Sequence, residues 1–156
     1  MKNLTLAAFS VCMTFCSVCS IAQNVQNRSV SVNEPDYNRP KLFSDLPDRI
    51  DFDPNHLSTL LTTQVGQSVS LSITPKFNIS GQVVSKADGQ NSSSVVVRLS
   101  NRPGARLIFT KRTDPNNSIK YIGRIISLKH GDSYEIVLEN DRYYFKKKGI
   151  YDLITE

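Results

Sequence analysis

Two histidines, His56 and His130, are the side chains of this 156-residue chain whose ordinary pKa suits proton transfer near neutrality. His130 stands in the run His130-Gly131-Asp132-Ser133, where a base, a carboxylate and a hydroxyl follow one another. Nucleophilic catalysis needs those groups to converge in space, and adjacency in sequence does not supply that. No G-x-S-x-G elbow accompanies them, so His130 reads as a turn residue. Asp51-Phe52-Asp53-Pro54-Asn55 opens like a calcium loop, but the sixth position is His56 where glycine is needed, and the twelfth is Thr62 where a bidentate glutamate belongs. Asp53 fits better as a helix cap. The two histidines are far apart and form no zinc-ligand spacing. Glu135 and Glu139 fall on one face of a strand with Val137 between them, and read as solvent-facing. No glycine-rich phosphate loop occurs. The expectation is a non-enzyme with no catalytic residue, no metal and no cofactor.

Charge is more informative. Glu34 to Asp53 holds six acids against three bases, whereas Arg98 to Lys129 holds eight bases against Asp114 alone. Such a stretch can meet an anionic partner. Arg98, Arg106, Arg124 and Lys129 are the candidate binding residues, expected on a shared surface. The partner would be an anionic surface, a polysaccharide or another exported protein. Tyr143-Tyr144-Phe145-Lys146-Lys147-Lys148 joins aromatics to lysines, as single-strand nucleic-acid binders do. Its aromatics alternate as core residues would, so nucleic acid is not expected, and the three lysines read as protection for a sheet edge.

The start of the chain sets the compartment. Lys2 precedes an apolar run from Leu4 to Ile21, and Ser20-Ile21-Ala22 places small residues where a signal peptidase reads them. Residues 1–22 are expected to be removed. Cys12, Cys16 and Cys19 all lie in this segment, preceded by Val11, Phe15 and Val18 rather than by the small residue a lipid-anchor site prefers. The remainder has no cysteine, hence no disulfide and no thiolate metal site. A secreted or periplasmic bacterial protein without a membrane span after cleavage is the expectation. Residues 23–41, polar and broken by Pro35 and Pro40, read as a flexible leader. Residues 42–156 read as one domain.

The elements that must position these side chains follow from periodicity. Leu42, Phe43, Leu46, Ile50 and Phe52 surround Pro47 in a segment that tucks apolar groups onto the domain. Asp53 and Pro54 open a short helix to about Thr62, with Leu57, Leu60 and Leu61 on one stripe. From Gln67 the period becomes two. Apolar side chains alternate with polar ones through successive short runs, separated by Pro75-Lys76, Asp88-Gly89, Asn101 to Gly104, Asp114 to Asn117, His130-Gly131 and Asn140-Asp141. Ile150 to Ile154 could close the sheet. No connection has room for a crossover helix. The fold class is therefore all-β with one short helix: an antiparallel meander of seven to eight strands, curled into a barrel or a strongly bent sheet. Gly81 and Gly123, inside strands, suggest bulges or bends.

The succession LFSDLPDRI, HLSTLLTTQVGQSVSLSI, FNISGQVVSK, SSVVVRLSN, PGARLIFTKR, YIGRIISLKHGDSYEIV and YYFKKKGIYDLI resembles a group of small exported bacterial β-domain proteins of unknown function, over Leu42 to Glu156. The resemblance implies an export signal and a compact β domain and brings no active site. The pattern of short alternating strands is also similar to the β-rich prodomains of secreted bacterial proteases. The functional expectation is an exported, non-catalytic binding or interaction module. Its alternatives are a protease inhibitor or prodomain-like partner, and a barrel that carries a small ligand.

Overall fold

The computed structural model describes Asp36 and residues 38–152. The expected signal segment, most of the leader and residues 153–156 lie outside them. The elements in chain order are β1 (Arg49–Asp51), α1 (Asn55–Thr62), β2 (Ser68–Thr74), β3 (Phe77–Asp88), β4 (Ser92–Leu99), β5 (Arg106–Thr113), β6 (Ile119–Ile126), β7 (Asp132–Glu139) and β8 (Arg142–Gly149). All strands join one antiparallel sheet in the order β1-β8-β7-β6-β5-β4-β3-β2. From β2 to β8 each strand pairs with its neighbour in sequence, as the short turns require. The meander is curled into a half-barrel.

Period-two alternation decides the two faces. Val83, Val95, Val97, Leu107, Phe109, Ile125, Tyr134 and Phe145 point to the concave side and are fully buried. The trough is filled by Leu57 and Leu60 of α1, and by Phe43, Leu46 and Ile50 of the segment before it. Leu61, third in the expected stripe, packs against this core while partly exposed. Eight residues do not make a stable helix alone, so α1 is held by those two leucines. The Asp53 carboxylate accepts the Asn55 N–H at 2.9 Å, the helix-opening role its position suggests.

Three local readings are corrected. The eighth strand of the sheet is β1, which crosses to pair Ile50 with Phe145, while residues 150–152 form a turn after β8 with Ile150 buried and the rest of the C-terminal run lies outside the described residues. Three residues are too few to show a period, so β1 was invisible as a strand. The bulges fall at Ile73 and Val84, not at the glycines. Gly81 and Gly123 are needed for close backbone approach: a Cβ on Gly123 would sit 2.5 Å from the Ile108 carbonyl oxygen, and one on Gly81 would strike that of Arg98. The lysine run does not guard an edge, because β8 lies between β7 and β1. Lys147 turns toward the entering chain, donating to the Leu46 carbonyl at 2.5 Å with Asp48 at 3.4 Å. Lys148 pairs with Glu135 at 3.1 Å.

The Asn140-Asp141 hairpin is as its residue types suggest, with φ of +52° and +57°, the left-handed pair of a type I′ turn. On the entering side, Gly131 donates its N–H to the Pro40 carbonyl at 3.1 Å, and Arg39 reaches the Leu128 carbonyl at 2.8 Å. Arg102 grips Asp45 through two hydrogen bonds of 2.8 and 2.5 Å and also reaches the Leu42 carbonyl. Those bonds hold the Asp45 carboxyl below its ordinary value of 3.8. A carboxylate whose pKa is lower in the folded state adds stability above its unfolded pKa, and gives it up as the pH falls through the folded value. Asp45→Asn should therefore flatten the acid limb of stability, measured as urea midpoints from about pH 6 to about pH 2. An unchanged slope would remove Asp45 from the acid transition.

Candidate functional site

The residues with catalytic potential are occupied by structural tasks. The His130 ring bonds the Ser127 hydroxyl through Nδ1 at 2.8 Å. Asp132, two residues on, turns its carboxylate to the Leu42 and Phe43 N–H groups at 2.6 and 2.9 Å. No base–nucleophile–carboxylate alignment forms there. Asp51 is bound by Arg49 at 2.8 Å, and Asp53 faces the helix start. Glu139 takes Arg49 and the Tyr144 hydroxyl, at 3.2 and 3.0 Å. Both strand glutamates are cation partners, Glu139 exposed as expected and Glu135 partly buried against Lys148. Among the described residues no cluster of His, Cys, Asp or Glu suits a metal ion.

The basic residues divide into two sets. Arg102, Arg112 and Lys120 are paired: Arg102 with Asp45, and the other two with Asp114 at 3.0 and 2.8 Å. Arg98, Arg106, Arg124 and Lys129 are exposed and make no ion pair among the described residues. Register brings the arginines together. Arg98 on β4 lies directly opposite Arg106 on β5. Arg106 faces Ile126 on β6, and Arg124 lies two residues earlier on that strand, between Ile108 and Glu135. All three point to the convex face, because Leu99, Leu107 and Ile125 beside them point to the core. Lys129 stands apart in the β6–β7 turn, at the end of the sheet where β4 ends and β5 begins.

The pairing of Arg98 with Arg106 is electrostatically unusual. Like charges directly opposite on neighbouring strands are destabilising. The sheet contains two further such pairs, and in both the chain supplies its own counter-ions: Asp51 and Glu139 hold Arg49, which stands opposite Lys146, and Asp114 answers Arg112 opposite Lys120 on β5 and β6. Asp114, in the turn that joins those strands, bridges both cations, which hold its carboxyl below the ordinary range. The turn that joins β4 to β5 brings no acid to Arg98 and Arg106. Between these two arginines and Ser100, Pro103, Gly104 and Ala105 lies a depression of about 330 Å3. Apolar side chains extend the site: Ile108 and Ile122 are 36% and 47% exposed on the convex face, and Val96 and Ile126 are partly exposed beside them.

The register partners are what sequence reasoning missed. Alternation indicates that Arg98, Arg106 and Arg124 face outward. Which cation stands opposite which depends on the lengths of the β4–β5 and β5–β6 turns. The isoleucines carried a visible signal, since Ile122 and Ile126 flank Arg124 on the polar side of β6.

Apart from the basic face, an apolar groove of about 400 Å3 opens where β1 approaches the β2–β3 turn, lined by Leu46, Pro47, Ile50, Pro75 and Phe77 among others. The middle of the half-barrel is filled by core side chains. Comparison of the chain with family models, curated proteins and solved structures gives no match.

Proposed function

We propose that this chain is an exported, non-catalytic interaction module that holds an acidic protein partner on its convex face, through Arg98, Arg106 and Arg124 with Lys129 at the rim. The observation that carries the reading is a contrast among the three cross-strand cation pairs. Among the described residues, Asp114 answers Arg112 and Lys120, and no acid answers Arg98 and Arg106. A carboxylate from a partner would complete the unanswered pair as Asp114 completes its own, and guanidinium groups suit carboxylates because they offer paired donors. Ile108, beside Arg106 and opposite Arg124, and Ile122, on the far side of Arg124, favour a protein over a polysaccharide, since apolar contacts beside charged ones are the composition of protein interfaces. No aromatic side chain is exposed among these residues to stack a sugar ring.

The test is retention of the protein by immobilised poly-glutamate, with alginate as the polysaccharide arm. Arg106→Glu is expected to weaken poly-glutamate binding by about tenfold or more, or ~1.4 kcal/mol. It should also stabilise the free protein by roughly 0.2–1 kcal/mol, because it turns a like-charge pair into an opposite one. Loss of binding with gain of stability is the signature of a site kept for a partner. Lys111→Ala, a change on a strand face turned away from the arginines, should leave binding as it is. Equal loss in both variants, or stronger retention on alginate, would overturn the reading.

A further inference from the structure

The two edges of the sheet are built in opposite ways. β1 is three residues long, follows Pro47, and carries Arg49 and Asp51 paired to each other, with Glu139 against the arginine. Shortness and charge are devices that stop an edge from recruiting another strand. β2, at the other edge, runs seven residues as Ser68-Val69-Ser70-Leu71-Ser72-Ile73-Thr74, with neither charge nor proline.

The backbone of β2 is half used. Val83 donates its N–H to the Gln67 carbonyl at 2.9 Å, and the register continues with Val69 opposite Gly81 and Leu71 opposite Ile79. In an antiparallel ladder bonded pairs alternate, so the N–H and C=O groups of Ser68, Ser70 and Ser72 point away from β3. The side chains are unfinished too. Val69 and Leu71 face the concave side yet are only partly buried, whereas Val95 and Val97 on β4 are fully buried. Backbone groups unpaired among the described residues and half-covered apolar groups on one edge define a site for an added strand.

We infer that the occupant is β2 of a second copy of this chain, antiparallel about a two-fold axis at Leu71. In that register Leu71 meets Leu71 of the second copy, Val69 meets Ile73 and Ser70 meets Ser72. From Val69 to Ile73 every apolar group faces an apolar one and Ser70 faces Ser72 with both backbones in a bonded pair, and the bulge at Ile73 ends the regular match before Thr74. This near-palindrome is a self-complementary surface, as an isologous interface requires. The outward residues of β3 nearest the edge, Asn78, Ser80 and Gln82, carry no charge, and Arg98 stands two strands in, about 10 Å away at ordinary strand spacing. Assembly stops at two, because the edges left over are the charged β1 edges.

A seven-residue edge buries less surface than a standard interface, so the dimer is weak and concentration-dependent. Sedimentation equilibrium over about 1 μM to about 1 mM should show a monomer passing into a dimer and no larger species. Ser70→Pro should give a monomer throughout, since that N–H takes no part in the β2–β3 ladder. S70K/S72K changes only exposed side chains and places lysine opposite lysine twice, so it too should be monomeric even if the proline variant fails to fold. Mixed with S70E/S72E, the lysine variant should pair again, more tightly than the unaltered chain. A monomer over the whole range, oligomers beyond two, or a dimer that persists in S70K/S72K would overturn the assignment. The last result would move association to another surface, the basic face included. Because no arginine variant enters this test, its outcome is separate from that of the anion site.

Discussion

Gly81→Val is expected to cost about 3 kcal/mol or more, the upper range for forcing atoms into a filled space. The reason is backbone, not side chain. A Cβ at this position would strike the Arg98 carbonyl oxygen, with the Arg98 carbonyl carbon at 2.9 Å and the Leu99 Cα at 3.0 Å. No rotamer change relieves such a contact. The ladder between β3 and β4 must open where Gly81 pairs with Leu99, next to fully buried Val83 and Val97. Domains of this kind are stable by only about 5–15 kcal/mol, so the variant should lose a large part of its urea midpoint or fail to fold. Gly89→Ala is the control. There the nearest atom to a new Cβ is the Ser92 hydroxyl at 3.3 Å, a side-chain end that can turn aside, and the change should fall within about 0.5 kcal/mol. Equal midpoints for the two variants would remove the close-approach argument. Because the clash falls on the backbone of Arg98, a folded Gly81→Val protein should also bind poly-glutamate more weakly.

Asp132→Ala is expected to cost about 3 kcal/mol. Asp132 is 3% exposed, and its two carboxylate oxygens each take one backbone N–H of the entering chain, Leu42 and Phe43. Alanine would leave both donors without an acceptor, one of them buried, and a stranded buried donor costs more than a hydrogen bond contributes when made. The damage spreads through Phe43, which is fully buried and sits edge-on to Tyr134 with ring centroids 5.0 Å apart. Asp132→Asn should fall between the two, since its amide keeps one acceptor oxygen. Asp48→Ala removes a carboxylate that is 93% exposed in its ion pair, and should cost under about 1 kcal/mol. Urea denaturation of the four proteins measures the order. If Asp132→Ala lies within about 1 kcal/mol of the unaltered protein, the carboxylate does not anchor the entering segment.

These two residues also mark where sequence reading stops. Gly81 was visible as a glycine within a strand, and a bulge was the natural reading. The bulge lies at Val84, and Gly81 serves the approach of the opposite strand. Asp132 was visible beside His130 in a stretch read as a turn. The structure turns its carboxylate to a segment about 90 residues earlier in the chain, as the hydrogen-bond separations of 90 and 89 record. Lys147 was read as guarding an edge and instead reaches the Leu46 carbonyl, 101 residues back. In each case the side-chain type was known and its partner was not, because the partner comes from a remote part of the chain.

What the sequence by itself determined is whatever repeats locally. Alternation fixes which side chains of β2 to β8 face inward, Asn140-Asp141 fixes a tight hairpin, and short connections fix the antiparallel meander. That is enough to put Arg98, Arg106 and Arg124 on an outer face. Tertiary structure alone decided that β1 crosses to β8 and that, among the described residues, β2 is an unpaired edge and Arg98 stands opposite Arg106 without an acid between them. Facing is a property of one strand and its two-residue period. Opposition is a property of two strands, and its register depends on turns, bulges and the curl of the whole sheet.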